Sequence, residues 1–275
     1  MSHTAEISRR NPACILILLD QSGSMRETLP TEGTTKAQGV ADVVNNLLAE
    51  LIDRNASGEE ICDRAEVGVI TYGGDDIATP LSATGLARLS ELEAKPLRVD
   101  TRQVEKYLSA GRTGMENIVM PIWFDPVSNG RTPMCAALER ARVMLEGWTV
   151  AHPASFPPLV VNVTDGEATD GDPAPGFQAL QALGTQDGAV LVMNVLITQK
   201  AGNVKVCYPT DAEEMWDPIS SKLFEGSSLF PEALRKGASE RLGREVPAGA
   251  RAVVLNAGLV DLIQTLDIGT RAARN

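Results

Sequence analysis

Histidine is nearly absent from this chain. His3 and His152 are the only two, and His152 lies in the connector His152-Pro153-Ala154-Ser155-Phe156-Pro157-Pro158. A zinc site of the usual His/Cys kind, or Ser–His or Cys–His nucleophilic catalysis, has almost no material to work with. Cysteine is scarce as well. Cys14, Cys62, Cys135 and Cys207 lie far apart with no Cys-x-x-Cys pair, the usage of a reduced chain and not of a disulfide scaffold. There is no Walker-type phosphate loop and no Gly-x-Gly-x-x-Gly fingerprint. Long hydrophobic runs are missing: Cys14–Leu19 and Ala189–Ile197 are far too short to span a bilayer. The polar start Met1-Ser2-His3-Thr4-Ala5-Glu6 holds no signal-peptide core, so the expected location is cytoplasmic. Positive charge is in deficit, with a formal net charge of −11 and a pI near 4.8. That balance argues against nucleic acid or an anionic membrane as a partner.

What is present suits one large domain. A chain of 275 residues, 43% hydrophobic, can bury roughly 70–75% of its unfolded surface. Residues 14–24 read Cys-Ile-Leu-Ile-Leu-Leu-Asp-Gln-Ser-Gly-Ser. The apolar part is short and rich in branched residues, the pattern of a fully buried parallel strand. Asp20 then stands at the strand's C-terminal edge, where open α/β sheets bind ligands, with Ser22 and Ser24 on the turn behind it. Three small oxygen donors spaced two apart on a tight turn can converge on a point. A hard divalent cation is the ion that prefers such donors.

The rest of the chain alternates strands and helices. Apolar residues at 40, 44, 47, 48 and 51 predict a helix over Lys36–Arg54, and Glu66–Tyr72 is the next strand, stopped by Gly73-Gly74. Between Asp75 and Asn129 we expect an elaboration with helical pieces at Leu86–Glu93 and Arg102–Leu108 and the aromatic segment Pro121–Pro126. Pro133–Trp148 is a helix with Pro in its first turn, Leu159–Thr164 a strand, Pro175–Leu183 a helix and Ala189–Ile197 a central strand. Val204–Tyr208 reads as an edge strand, followed by helices around Asp211–Phe224 and Pro231–Leu242, an apolar run Ala252–Leu255 and a helical pattern over Gly258–Ile268. The fold class is α/β: a doubly wound, mostly parallel central sheet with helices on both faces.

Asp20-Gln21-Ser22-Gly23-Ser24 resembles the first loop of the metal-ion-dependent adhesion site of von Willebrand factor A domains. Gly130-Arg131-Thr132-Pro133-Met134 is similar to the second loop, which supplies a threonine, and the strand ending Thr164-Asp165-Gly166 to the third, which supplies an aspartate. The string Asp165-Gly166-Glu167-Ala168-Thr169-Asp170 resembles the bacterial intracellular branch, with its tellurium-resistance-associated members. The resemblance runs from Ala13 to about Thr198. It sets the expected division: a tail over 1–12, the domain over 13–200 with its elaboration at 75–129, and a C-terminal extension over 201–275 packed on the same domain.

The resemblance implies a metal set of Asp20, Ser22, Ser24, Thr132 and Asp165, with the hydroxyls on the ion and the aspartates holding its waters. An ion held by hydroxyls and water keeps most of its charge and one open position, which suits an Asp or Glu presented by a partner protein. Mg²⁺ is expected, with Mn²⁺ also fitting an octahedral oxygen set. The expected function is a non-catalytic adaptor. The intracellular branch adds serine/threonine phosphatases or kinases as partners in stress response or defence. The alternative from another class is a Mg²⁺-dependent phosphohydrolase of the haloacid dehalogenase kind. That chemistry needs Asp-x-Asp, and the second position here is Ser22. A metal-independent scaffold acting through 75–129 is the third.

Several residues near these loops carry two readings. Asp20, Ser22, Ser24 and Asp165 could be plain turn and capping residues. Asp170 and Asp172 either bias the site electrostatically or cap a helix before Pro173. Cys135, in the first turn of a helix, is either an activated thiol or a buried inert one. Trp123 and Phe124 either rim the site or pack the elaboration, and Arg131 either clamps a carboxylate or is solvated.

Overall fold

The computed structural model describes residues 3–74, 76–107, 113–199 and 202–274. The chain opens with β1 (Ala13–Asp20), every residue of which is buried. A 3₁₀ turn (Gly23–Arg26) leads to α1 (Lys36–Arg54), which starts where Thr35 accepts a hydrogen bond from the Gln38 N–H. A small hairpin, β2 (Ala56–Ser57) and β3 (Glu60–Ile61), precedes the long strand β4 (Ala65–Gly73). Next come β5 (Asp76–Ala78), β6 (Leu86–Arg88), α2 (Leu89–Ala94), β7 (Arg98–Tyr107) and β8 (Thr113–Ile122). The second half runs α3 (Met134–Ala151), β9 (Leu159–Thr164), α4 (Ala174–Ala182), a hairpin of β10 (Gly184–Thr185) and β11 (Gly188–Ala189), and β12 (Leu191–Ile197). It ends with β13 (Val206–Cys207), α5 (Pro218–Gly226), α6 (Glu232–Leu242), β14 (Val253–Ala257) and α7 (Leu259–Arg274).

The main sheet is ordered β13-β14-β12-β9-β1-β4-β5, with β6 also on β4. The pairs β14–β12, β12–β9, β9–β1 and β1–β4 are parallel, and the short strands β5, β6 and β13 pair antiparallel at the margins. Because side chains alternate across a strand, β1 feeds both faces. Ile15, Ile17 and Leu19 join Val44, Leu48 and Leu51 of α1 and Leu262 and Leu266 of α7 in one core. Leu16 and Leu18 join Leu138, Ala141 and Leu145 of α3 and Phe177 of α4 in the other. A strand covered on both faces reads as a continuous apolar run, which is why β1, β9 and β12 stand out in the sequence.

Polar groups inside the second core are paired. The Tyr72 hydroxyl donates to Asn162 Oδ1 (2.8 Å), Asn162 Nδ2 to Asn194 Oδ1 (2.9 Å), and Asn194 Nδ2 to Ser227 Oγ (2.9 Å). The chain ties β4, β9 and β12 to the end of α5, and fixes their register beneath the sheet's carboxyl edge.

Two expectations for the elaboration change. Arg102–Tyr107 is not helical: it belongs to β7, paired residue for residue with β8 from Arg98↔Ile122 to Tyr107↔Thr113; Leu108, at the end of the expected helix, lies outside the described residues. Charged residues such as Arg102, Glu105 and Lys106 favour a helix locally, but pairing with β8 supplies the backbone partners and overrides that preference. Leu86–Arg88 is likewise a strand, taken by β4, so the helix starts at Leu89. Trp123 and Phe124 are both 5% exposed and pack into the α1 core. Asn45 of α1 clamps them, its Oδ1 accepting from the Trp123 N–H and its Nδ2 donating to the Phe124 carbonyl. They form no rim at the site.

Candidate metal site

Parallel pairing brings the loops together. Leu19 is aligned with Thr71 on one side and Val163 on the other, so Asp20, Gly73 and Asp165 leave the sheet at the same edge. Asp20 is 1% exposed, and both its oxygens are held: Oδ1 accepts from the Ser22 N–H (2.8 Å) and Oδ2 from the Thr164 hydroxyl (2.6 Å). Burial raises its pKa above the ordinary 3.8, against hydrogen bonds from Ser22 and Thr164 that lower it, and the charge of Asp165 adds to the rise.

The two serine hydroxyls converge. Ser22 Oγ and Ser24 Oγ are 3.1 Å apart, and Ser24 donates to Asp165 Oδ1 at 2.7 Å. Ser24 gives its proton to Asp165, so within the pair Ser22 is the donor. The second loop closes on the first through the Gly23 N–H to the Gly130 carbonyl (3.0 Å) and the Asn129 N–H to the Gln21 carbonyl (2.7 Å). Thr132, buried at 6% exposure, is tied to the third loop from both sides. Its N–H donates to the Thr169 hydroxyl (3.0 Å), and the Thr169 N–H donates to its carbonyl (2.9 Å). Asp20, Ser22, Ser24, Thr132 and Asp165 therefore sit on three loops in mutual contact.

One residue at this edge was not singled out by its sequence motif. Lys36, the first residue of α1, has a side chain only 5% exposed, and its ammonium lies 2.8 Å from Asp165 Oδ2 and 2.6 Å from Glu27 Oε2. Burial pulls its pKa down, but the hydrogen bonds and charges of Asp165 and Glu27 outweigh that, and the net shift is upward. The signal was available. A cation at a helix N-terminus opposes the macrodipole, and a broken local rule beside a ligand-binding edge points to a partner nearby.

Four residues near the loops can be placed. Asp170 caps α3, its oxygens accepting from the Cys135 N–H (3.1 Å) and the Ala136 N–H (2.9 Å). Asp172 accepts from the Ala174 N–H (3.4 Å) at the start of α4 and lies 3.7 Å from Lys222 Nζ. Burial, then Asp170, pushes the Cys135 thiol up to about 11, so it is not activated. Arg131 is exposed, and its carbonyl accepts from the Gly74 N–H (3.0 Å).

Among the described residues, no group of three or more His, Cys, Asp or Glu side chains is placed to hold a metal. A site built here would depend on hydroxyls. Two close hydroxyls, a third on a loop locked beside them and two buried carboxylates behind are oxygen donors of the kind that could hold a hard cation. Among the described residues no helix is long and apolar enough to cross a membrane.

No protein-family model and no curated protein matches the chain. Among solved structures, it is similar to the pilus adhesin SpaC from Lactobacillus rhamnosus GG, with 15% identity and a TM-score of 0.41 over 70% of this chain and 25% of that one. It is also similar to the vWF domain of the type V pili tip protein Mfa5 from Porphyromonas gingivalis, with 12% identity and a TM-score of 0.32 over 58% of this chain and 39% of that one. A third is the adhesive tip pilin GBS104 from Group B Streptococcus agalactiae, with 16% identity and a TM-score of 0.30 over 57% and 46%. The chain spans less than half the length of each of these structures. Likeness this distant adds no residue-level information, and the α/β doubly wound architecture rests on the strand order and pairing described above.

Proposed function

We propose that the chain is a non-catalytic, cytoplasmic interaction module that holds Mg²⁺ at the Ser22–Ser24–Thr132 edge and docks an Asp or Glu of a partner protein there. The observation that carries this reading is the pair of serine hydroxyls 3.1 Å apart, backed by buried Asp20 and Asp165. Ser22, Ser24 and Thr132 would hold the ion, and Asp20 and Asp165 its waters. The ion would supply a concentrated positive charge with one exchangeable position. An acidic surface, at −11 overall, would otherwise repel a carboxylate. The absence of a carboxylate at position 22, where that chemistry needs its acid/base, speaks against a phosphohydrolase. Cys14, Cys62, Cys135 and Cys207 are all unpaired thiols, which fits a reducing compartment.

The test is calorimetric titration of Mg²⁺, then of a glutamate-containing peptide, into wild type and Asp20→Asn, with melting curves in EDTA. Asparagine keeps the shape of the aspartate and the bond from the Ser22 N–H, and Thr164 can turn its hydroxyl to accept instead. The sign follows from the raised pKa. The stability Asp20 contributes is full below its ordinary 3.8 and is lost as pH rises through its higher folded value, so above that value the ionised group is a burden. Asp20→Asn should therefore melt a few degrees higher than wild type in EDTA and lose both Mg²⁺ and peptide binding. Binding unchanged by the substitution would sink the proposal.

A further inference from the structure

Lys36 raises a question that the metal reading alone does not answer. A full positive charge is buried at the very edge proposed to receive a divalent cation. Its ammonium reaches Asp165 Oδ2 at 2.8 Å, and the other oxygen of that carboxylate accepts from Ser24 at 2.7 Å. One carboxylate therefore separates the ammonium from the converging hydroxyls. The second partner, Glu27, is 65% exposed on its side chain and can be solvated without Lys36, whereas the Asp165 side chain is fully buried and depends on this charge. The position is also held from the backbone: the Lys36 N–H donates to the Glu27 carbonyl (2.9 Å), which anchors the start of α1 to the loop behind Ser24.

A buried carboxylate with no countercharge is strongly unfavourable, and Lys36 removes that problem for Asp165 without any metal. The same charge then opposes an arriving divalent cation across the buried Asp165 carboxylate, where solvent screens Coulomb interactions less than at an open surface. We propose that Lys36 is a built-in counter-charge of this site: it stands in for the metal's charge at Asp165 when the site is empty, and it loosens Mg²⁺ binding so that docking is reversible. The inference rests on the metal reading of the preceding subsection. It assigns Lys36 a charge-setting role; Lys36 is not a ligand.

The experiment uses the full chain and Mg²⁺ alone. Wild type, Lys36→Met and Lys36→Arg are purified in Mg²⁺, titrated with Mg²⁺ after dialysis, and melted with Mg²⁺ and with EDTA. Lys36→Met should bind Mg²⁺ roughly tenfold more tightly than wild type, because a repulsion at close range is removed. Its melting temperature should fall in EDTA and recover in Mg²⁺, giving a larger metal-dependent increment than wild type. Lys36→Arg keeps the charge and should stay within about twofold of wild type in affinity. Equal affinities for wild type and Lys36→Met overturn the inference, as does Lys36→Arg binding as tightly as Lys36→Met. A Lys36→Met chain that stays unfolded with Mg²⁺ present also overturns it, since bound metal should replace the missing charge. Absence of Mg²⁺ binding by wild type itself is a different failure, that of the metal reading.

Discussion

Asp165→Ala is expected to lower the unfolding free energy by about 3 kcal/mol in EDTA, the lower end of the cost of breaking a buried ion pair from one side. The side chain is fully buried, receives the Ser24 hydroxyl and is the buried partner of Lys36. Truncation leaves the ammonium, 5% exposed, with only the solvent-facing Glu27 carboxylate to offset it. Urea unfolding of a double-mutant set gives the decisive comparison. Adding Lys36→Met to Asp165→Ala removes the stranded charge, so the double variant should regain much of the loss. A double variant no more stable than Asp165→Ala would show that the damage comes from lost packing and that the ion pair does little.

Gly130→Ala is the second large effect. Gly130 has φ +61°, and a Cβ there would lie 2.5 Å from Gly74 Cα, a backbone atom that no rotamer change can move. The residue also gives its carbonyl to the Gly23 N–H, the bond that seats the second loop against the first. Strain from the left-handed conformation is worth roughly 1 kcal/mol or more, and the backbone clash must be relieved by pulling the two loops apart. We expect a total loss of at least about 2 kcal/mol together with weakened Mg²⁺ binding. Gly33→Ala is the control: its φ is +68°, yet a Cβ there meets nothing within 4 Å. It should show the conformational strain alone, with Mg²⁺ affinity unchanged. Equal losses of affinity in the two variants would mean that loop contact does not position the hydroxyls.

The parts of the fold that could be read from sequence are those where burial fixes the pattern. β1, β4, β9 and β12 are covered on both faces, so their apolar runs are hard to mistake. α1 was legible, Lys36–Arg54, because its apolar stripe at 40, 44, 47, 48 and 51 faces one core. The β7–β8 hairpin was not legible, because its strands carry many charged residues, lack the apolar run of a buried strand and are set by cross-strand pairing. Asp20, Ser22, Ser24, Thr132 and Asp165 could be named from the resemblance of three loops to a metal-ion-dependent adhesion site, and those loops do meet at one edge of the sheet. Their supports could not be named. Thr164 and Thr169 hold site residues through hydroxyls that any strand end or loop could carry. Asp170 suggested a cap, but its helix turned out to be α3, far away in sequence, and not the neighbouring α4. Lys36 breaks the charge rule for a helix start, but its partner Asp165 became visible only once α1 was set against the third loop.

In the proposed site, hydroxyls hold a divalent cation which keeps an exchangeable position for an external carboxylate. Water-proton relaxation with Mn²⁺ reads both halves at once, because bound Mn²⁺ with exchanging waters relaxes bulk water strongly. Titrating Mn²⁺ into wild type should give a saturable enhancement that excess Mg²⁺ reverses, and the enhancement should fall as a glutamate-containing peptide displaces a coordinated water. Ser22→Ala/Ser24→Ala should show neither effect. An enhancement retained in that double variant, or none in wild type, would contradict the account.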